Sequence, residues 1–383
     1  MRPVAERIAT TAVFLANGLG IGAWAVEVPR IKEALLLSDT SLGIALFCFA
    51  LGAIVAMPLA GRLAPRFGSG RVTAFLGVAF VVALPLPALV PDFALLCVVL
   101  FALGAANGAL DVSMNGHASA IEGEWRAPIM SSFHAAWSMG GLIGAAGGAA
   151  LQANGIGSIG GLLLPDVVIG ALVLTGAVFA LRDIGPRVLA SASGFVLPSA
   201  GVMKLAALAF LCMLVEGAVA DWSAVFLRSA LDTQASAAAL GYSSFAFAMA
   251  ACRIVGDVSV RRLGASVVVA SGGFIAVVGL ALVLGYPNVV TACVGFALVG
   301  IGLANIVPVI FSAAGRSTAT PAVGVSMAAT AGYAGFLVGP PLIGLGAGFV
   351  GLRLALCALL LAVVIVCLVG GKAVSRVSVK EAY

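Results

Sequence analysis

Uninterrupted apolar runs recur along the whole chain, and each is long enough to cross the roughly 30 Å hydrocarbon core of a bilayer at about 1.5 Å per residue. Of the 383 residues, 62% are hydrophobic and only 9% are charged, whereas an ordinary soluble domain has about 25% charged residues. The connections between the runs leave no room for a sizeable soluble domain. The sequence therefore predicts an all-α integral membrane protein.

Counting the runs gives a prediction of twelve transmembrane helices. The first run is longer than a signal-peptide core and no small-residue cleavage site follows it, so we interpret it as a retained span. The predicted spans are 7–28, 40–61, 71–90, 93–117, 128–151, 162–181, 204–227, 237–260, 265–285, 289–312, 322–345 and 351–371.

The basic residues predict the orientation of the chain. If the N-terminus lies in the cytoplasm, all but four of the twenty Lys and Arg residues fall on or near the cytoplasmic side. This asymmetry follows the positive-inside rule, so we expect a multi-pass protein of the bacterial inner membrane with both termini cytoplasmic. The net charge of +5 does not indicate nucleic-acid binding, because the basic residues are not gathered on one face.

Glycines of the first half fall on glycines of the second half when the sequence is shifted by 195 residues. The matching pairs are Gly22 and Gly217, Gly61 and Gly256, Gly140 and Gly335, and Gly144 and Gly339. A constant offset predicts an internal repeat. We therefore predict a six-helix bundle at 1–181, a cytoplasmic linker at 182–203 and a second six-helix bundle at 204–383. Two parallel halves of this kind are typical of alternating-access transporters.

The turn after the second predicted span carries a recognisable motif. The stretch "GRLAPRFG" (61–68) resembles the Gly-x-x-x-x-Arg-x-Gly signature of the major facilitator superfamily, although Pro65 stands where that family usually has an acidic residue. The stretches "ANGLGIGAWAVEVPRIKEAL" (16–35), "GALDVSMNGHASAIE" (108–122) and "SSFHAAWSMGGLIG" (131–144) most resemble its bacterial branch that contains the fucose permease. The resemblance implies twelve helices in two six-helix repeats and secondary active transport.

Asn107, Asp111 and Asn115 recur every four residues and form one polar stripe on the fourth predicted span. A charge in hydrocarbon is costly, so the stripe must face protein or water. His134 on the fifth span lies at a similar depth, about 9 to 10 Å from the cytoplasmic end at about 1.5 Å per residue. A carboxyl–imidazole pair can bind and release a proton. The alternative interpretation is that these polar groups hold helices together by hydrogen bonds.

The resemblance adds a role for Asp111. In the relatives of the fucose permease, an acidic residue at this position is implicated in proton coupling, and the resemblance implies the same role here. A second acidic residue of that branch would fall on Ala25 of this chain, so sugar specificity does not carry over. Glu27, two positions further, is predicted near the outer surface. His117, Glu122 and Glu124 are predicted at a solvated loop edge.

Glu216 is the deepest acid in the sequence, about 18 Å into the seventh span at about 1.5 Å per residue. We predict that it is a third proton-coupling group with Asp111 and His134, the alternative being a buried protonated acid bonded to a carbonyl. Arg253 and Asp257, four residues apart, are predicted to form an ion pair. The predicted gating residues are Arg66, Arg253, Asp257 and Arg261.

Amide and aromatic side chains within the spans are candidates for binding the solute, because aromatic platforms with amide partners suit sugars and other neutral polar molecules. Aromatic residues also fill cores and anchor helices at interfaces, which is the alternative. The predicted solute-binding residues are Asn17, Trp24, Asn107, Asn115, Trp137, Asn305 and Tyr333.

These patterns predict a proton-coupled symporter of a small polar organic solute, acting as a monomer in the lipid bilayer. The rival prediction is a proton-driven drug or metabolite efflux antiporter. No Gly-x-x-x-x-Gly-Lys-Ser/Thr motif or metal-ligand spacing occurs, so we expect no ATP-driven step, cofactor or metal. A membrane enzyme would need a catalytic cluster that the sequence does not contain. A non-transporting sensor on the same fold is a further alternative.

Overall fold

A computed structural model describes residues 3–37, 39–179, 199–227, 235–286 and 288–378. These residues form fifteen α-helices and one short 3₁₀-helix at Leu86–Ala88, and no strand. The helices are α1 Val4–Ala34, α2 Asp39–Phe67, α3 Ser69–Ala83, α4 Phe93–Trp125, α5 Met130–Ala153, α6 Ser158–Phe179, α7 Ala200–Val225, α8 Ala235–Ile254, α9 Gly256–Leu263, α10 Ala265–Gly285, α11 Val289–Leu303, α12 Ile306–Arg316, α13 Pro321–Val350, α14 Leu352–Ala355 and α15 Cys357–Ser378.

Helices or pairs of helices occupy all twelve predicted runs, which confirms the all-α membrane fold. Ten spans of the described chain are long and apolar enough to cross a membrane, or eleven if the bent pair α8–α9 is counted as one. The remaining helix, α5, is 24 residues long but rich in glycine, serine and alanine. A helix satisfies every backbone polar group internally, which a chain in hydrocarbon requires.

The structure breaks several runs that the sequence predicts as continuous. The predicted span 237–260 bends by 58° between α8 and α9. The span 289–312 is interrupted at Ala304 and Asn305, between α11 and α12. Pro308 explains this second break, because it has no N–H to offer the carbonyl of Ala304 four residues earlier. The third predicted span ends at Ala83, shortly before Pro85 and Pro87.

Contacts divide the chain into two compact units. The first comprises Met1–Arg126, Phe133–Phe195 and Thr318–Ser326, and the second comprises Ala127–Ser132, Val196–Ser317 and Met327–Tyr383. Two short segments, at the starts of α5 and α13, therefore group apart from the rest of their helices. Most of the predicted linker 182–203 lies outside the described residues, and the division into 1–181 and 204–383 stays a prediction.

Within the first unit, α5 lies directly against α1. A Cβ atom on Gly140 would overlap the carbonyl oxygen of Leu15, and one on Gly144 would overlap that of Leu19. Only glycine allows two helix backbones to approach this closely. Gly140 and Gly144 therefore form a close helix–helix contact between α5 and α1.

The same packing recurs within the second unit, 195 residues further along. A Cβ atom on Gly335 of α13 would overlap the carbonyl oxygen of Phe210 on α7, and one on Gly339 would overlap that of Leu214. Each of these four residues lies 195 positions after its counterpart in α1 or α5. The sequence offset therefore corresponds to a repeated helix–helix contact and not merely to similar composition.

Overpacking a tight interface costs roughly 1–3 kcal/mol even where the neighbouring side chains can move. In Gly144→Ala the new methyl group must displace the backbone of α1. We therefore predict that this substitution strongly destabilises the protein. Gly147→Ala is the matched control, since a Cβ on Gly147 meets nothing within 4 Å and alanine favours the helix. Thermal unfolding of the purified variants in detergent measures the difference. Equal melting temperatures for the two variants would contradict this packing.

Candidate functional site

Two residues of the polar stripe of α4 are hydrogen-bonded to each other. The Asn115 side-chain amide donates to the backbone oxygen of Asp111 at 2.9 Å and to Asp111 Oδ1 at 3.2 Å. The side chain of Asn115 is fully buried, with 0% of its surface exposed. Because residues four apart in a helix lie one above the other, the repeat places these groups in contact.

His134 of α5 joins this stripe through Asn115. Its Nε2 atom lies 3.1 Å from Asn115 Oδ1, an oxygen that can only accept, so this bond requires a proton on Nε2. Phe14 of α1 packs edge-on against the imidazole, with ring centroids 5.7 Å apart. The predicted proximity of Asp111 and His134 therefore takes the form of a bridge in which Asn115 holds both groups.

The second carboxyl oxygen of Asp111 has no hydrogen-bond partner. Oδ2 is buried, and no donor among the described residues reaches it. The structure also records no salt bridge to Asp111 within that part of the chain. A buried acceptor that lacks a donor destabilises the folded state by about 1–3 kcal/mol, and by more if the acceptor is charged. Asp111 is therefore suited to bind a proton or a donor group that the chain itself does not supply.

Asn17 of α1 brings together three of the predicted solute-binding residues. Its side-chain amide donates to Asn107 Oδ1 at 2.8 Å, and its own Oδ1 accepts from the indole N–H of Trp137 at 2.8 Å. Asn107 lies one turn before Asp111 on the same face of α4. We call Asn17, Asn107 and Trp137 the amide–indole group. Trp24, another solute-binding candidate of this unit, is buried on α1.

Glu216 of α7 lies beside Arg253 of α8 within the second unit. Arg253 Nη2 is 4.0 Å from Glu216 Oε1, and the two side chains are 6% and 22% exposed. The Arg253 Nε–H also donates to the carbonyl of Ala304 at 3.2 Å. The predicted pairing of Arg253 with Asp257 stays a prediction.

Asp257 accepts from the backbone of α5. Both of its carboxyl oxygens lie 3.2 Å from the N–H of Ser132, in the first turn of that helix and within the second unit. A carboxylate is favourable at this position, because the first turn of a helix carries unpaired N–H groups and a partial positive charge. Asp257 thus stabilises the start of α5.

The remaining candidates are placed as follows. Asn305 is buried at the start of α12, and its amide donates to the Cys252 carbonyl at 3.3 Å. Tyr333 is half-buried on α13. Arg66 and Arg261 are exposed, and the Arg66 guanidinium lies 5.3 Å from the centre of the neighbouring Phe67 ring.

Comparison with known proteins identifies the family. Residues 10–318 match the model of the Major Facilitator Superfamily. The chain belongs to this superfamily (MFS).

Two full-length relatives and one solved structure are similar to this MFS protein. An uncharacterized MFS-type transporter of Yersinia pestis is 37% identical over 343 residues, covering 89% of this chain and 88% of the relative. The membrane protein MosC of Rhizobium meliloti is 36% identical over 364 residues, with 92% and 86% covered. The fucose:proton symporter FucP of E. coli has a similar fold, with a TM-score of 0.76, 17% identity and 96% and 97% of the chains covered.

One part of the sequence interpretation of this MFS protein is wrong. His117 and Glu122 were expected to be solvated at a loop edge, but they are 0% and 7% exposed. The reason is that α4 continues to Trp125 and stays packed. His117 Nδ1 lies 2.8 Å from the hydroxyl of Ser69 on α3. Glu124 is exposed, as predicted.

Sequence reasoning also missed a buried ionic group on α1. The Glu27 side chain is 0% exposed, and its Oε1 atom accepts from Arg30 at 3.4 Å and from the Gln152 amide at 3.2 Å. Arg30 donates in addition to the carbonyl of Ile156. The sequence did contain a signal for this group. Glu27 and Arg30 are three residues apart, and Gln152 lies in an otherwise apolar run.

We predict that Asn115→Ala destabilises the MFS protein by roughly 1–3 kcal/mol, because it leaves both the carboxyl of Asp111 and the imidazole of His134 without their common partner. Asn154→Ala is the control, since Asn154 is exposed directly after the end of α5 and its side-chain amide donates to the nearby carbonyl of Ala150. Unfolding of both variants in detergent tests this. If Asn115→Ala were as stable as the control, the bridge through Asn115 would not contribute to the free energy of unfolding.

Proposed function

We propose that this MFS transporter imports a small polar organic solute together with protons by alternating access across the bacterial inner membrane. The observation that carries the proposal is the buried Asp111 Oδ2, which has no donor in the described chain. An acid in this setting changes its interactions when it gains or loses a proton. Such a change is what a coupling site requires.

In the proton step, Asp111 is the group that takes up and releases the proton. When ionised, the carboxylate presents an unsatisfied oxygen, and when protonated it becomes a hydrogen-bond donor. Asn115 fixes the other oxygen and links it to His134. In this proposal Asn115 positions Asp111, and it also stays a proposed solute contact.

The amide–indole group is the proposed solute contact of the first unit. Amide groups can both donate to and accept from hydroxyl groups, and the flat face of an indole packs against the apolar side of a sugar-like ring. Trp24, Asn305 and Tyr333 are further proposed contacts. The amide–indole group lies next to Asp111 along α4, so that solute and proton would meet on neighbouring turns.

The second unit contributes a different kind of proton-coupling group in this proposal. Glu216 lies beside Arg253, so its negative charge is compensated while it is ionised. Arg66, Asp257 and Arg261 complete the proposed gating set with Arg253. Both termini are proposed to be cytoplasmic, and the transporter is proposed to work as a monomer in the lipid bilayer.

We predict that Asp111→Asn abolishes uphill uptake, because an amide cannot carry the proton, while solute exchange down its own gradient persists. A thermal-shift screen of sugars, polyols, carboxylates and amphiphilic drugs would first identify a ligand. Uptake of that ligand into proteoliposomes under an inside-alkaline gradient would then be compared between variants. We expect the loss of accumulation to be on the order of tenfold or more, as for removal of an essential acid–base group.

Glu124→Gln is the matched control, since Glu124 is exposed on the same helix and should leave uptake unchanged. Undiminished proton-driven accumulation by Asp111→Asn would contradict the proposed role of this acid. Solute movement against the proton flux would indicate the efflux antiporter instead.

A further inference from the structure

Two broken spans of the second unit are fastened to each other at their breaks. Near the end of α8, Arg253 donates through Nε–H to the carbonyl of Ala304 at 3.2 Å. In return, the amide of Asn305 donates to the carbonyl of Cys252 at 3.3 Å. We call these four residues the break clamp. It joins the α8–α9 bend of 58° to the interruption between α11 and α12.

The carbonyl of Ala304 needs a hydrogen-bond donor from outside its own helix, because of the covalent structure of the residue four positions further on. Its helical partner would be the N–H of residue 308, which is Pro308 and has none. The end of α11 also carries the partial negative charge of a helix C-terminus. A guanidinium satisfies both requirements at once, because it is a donor and a permanent cation. Arg253 is therefore held by the break itself as well as by Glu216.

The carboxylate of Glu216 and the carbonyl of Ala304 compete for the guanidinium of Arg253. The distance of 4.0 Å between Arg253 Nη2 and Glu216 Oε1 is longer than the roughly 2.7–2.9 Å of a tight charge-assisted hydrogen bond. The guanidinium can thus shift towards the carboxylate or towards the carbonyl of Ala304. Its balance depends on whether Glu216 is charged.

We propose that Arg253 is a positioning residue that transmits the protonation state of Glu216 to the break between α11 and α12. Ionised Glu216 draws the guanidinium away and loosens the break clamp. Protonated Glu216 leaves the guanidinium to Ala304 and tightens the clamp. This inference rests on the proposed function only in that Glu216 is taken to be a proton-coupling group.

Few other groups could produce such a response. On the described elements of the second unit, the carboxyl groups besides Glu216 are those of Asp221 and Asp257. Asp221 is exposed on α7, and Asp257 accepts from the N–H of Ser132. Cys212 and Tyr242 lie within electrostatic reach of Glu216, but cysteine and tyrosine ordinarily titrate above about pH 8.

Hydrogen–deuterium exchange of the full-length protein in nanodiscs tests the proposal with protons as the only ligand. The readout is the protection factor of the backbone amides of residues 303–307 and 309 at about pH 5 and about pH 8, corrected for intrinsic exchange. In the wild type we expect protection to be on the order of tenfold higher at the lower pH, since a hydrogen bond to a charged group changes an opening equilibrium by at least that factor.

Glu216→Gln should show high protection at both pH values, because glutamine mimics the protonated acid. Arg253→Gln should show low protection at both, and Arg253→Lys should keep the charge but lose most of the pH response, since an ammonium cannot bridge both acceptors. Asp221→Asn is the control and should behave as the wild type. If Arg253→Gln does not fold, Glu216→Gln and Arg253→Lys still decide the question.

A pH response that persists unchanged in Glu216→Gln or Arg253→Lys would overturn the proposal. The same holds if the wild type shows no pH response at 303–309. Because no solute is used, a failure of proton-driven uptake would count against the proposed function alone. A failure of the exchange experiment would count against the break clamp and the coupling role of Glu216, but not against the proposed role of Asp111.

Discussion

A polar group inside a membrane span must find its partner within the protein, since hydrocarbon offers none. This constraint explains why every described span is helical and why the polar side chains of α1, α4 and α5 are linked into connected groups. Asn17, Asn107 and Trp137 satisfy one another, and Asn115 satisfies parts of both Asp111 and His134. Asp111 Oδ2 and Glu27 Oε2 are buried oxygens of these helices for which the described residues supply no donor. The proposed chemistry begins from Asp111 Oδ2.

The acids Asp111 and Glu216 have different surroundings in the two units. Asp111 of the first unit has amide partners and an unsatisfied oxygen, but no cation at ion-pair distance in the part of the chain that the structure describes. Glu216 of the second unit has Arg253 beside it. An uncompensated acid gains most from binding a proton, whereas a compensated acid trades a proton for its cation. The two sites can therefore respond to protons in different ways, one by binding and one by moving an arginine.

Much of the fold could be predicted from local sequence patterns. Apolar runs give the helices because length and hydropathy decide whether a segment can span a bilayer. The glycine offset of 195 predicted an internal repeat, and the packing of Gly140 and Gly144 recurs at Gly335 and Gly339. The polar stripe of α4 also lies on one face, as its spacing requires. Pro308 contained the information for the break after Ala304, but hydropathy alone does not reveal a missing backbone donor.

What could not be predicted depends on partners that are distant in sequence. Spacing shows which face Asn115 occupies but not that its amide bridges Asp111 and His134. The burial of Glu27 depends on Gln152, which is 125 residues away. The partners that the structure shows for Arg253 and Asp257, the carbonyl of Ala304 and the N–H of Ser132, are likewise distant in sequence.

The most direct test of the account is whether Asp111 gains and loses a proton in the folded protein. Infrared difference spectroscopy of the purified transporter in lipid would follow the C=O band of protonated carboxyl groups. The sample would be titrated between about pH 8 and pH 5, the range in which acid–base groups operate. The account predicts a titrating band that is present in the wild type and absent in Asp111→Asn. A spectrum that is the same in both proteins would show that Asp111 does not titrate, and would contradict the central claim.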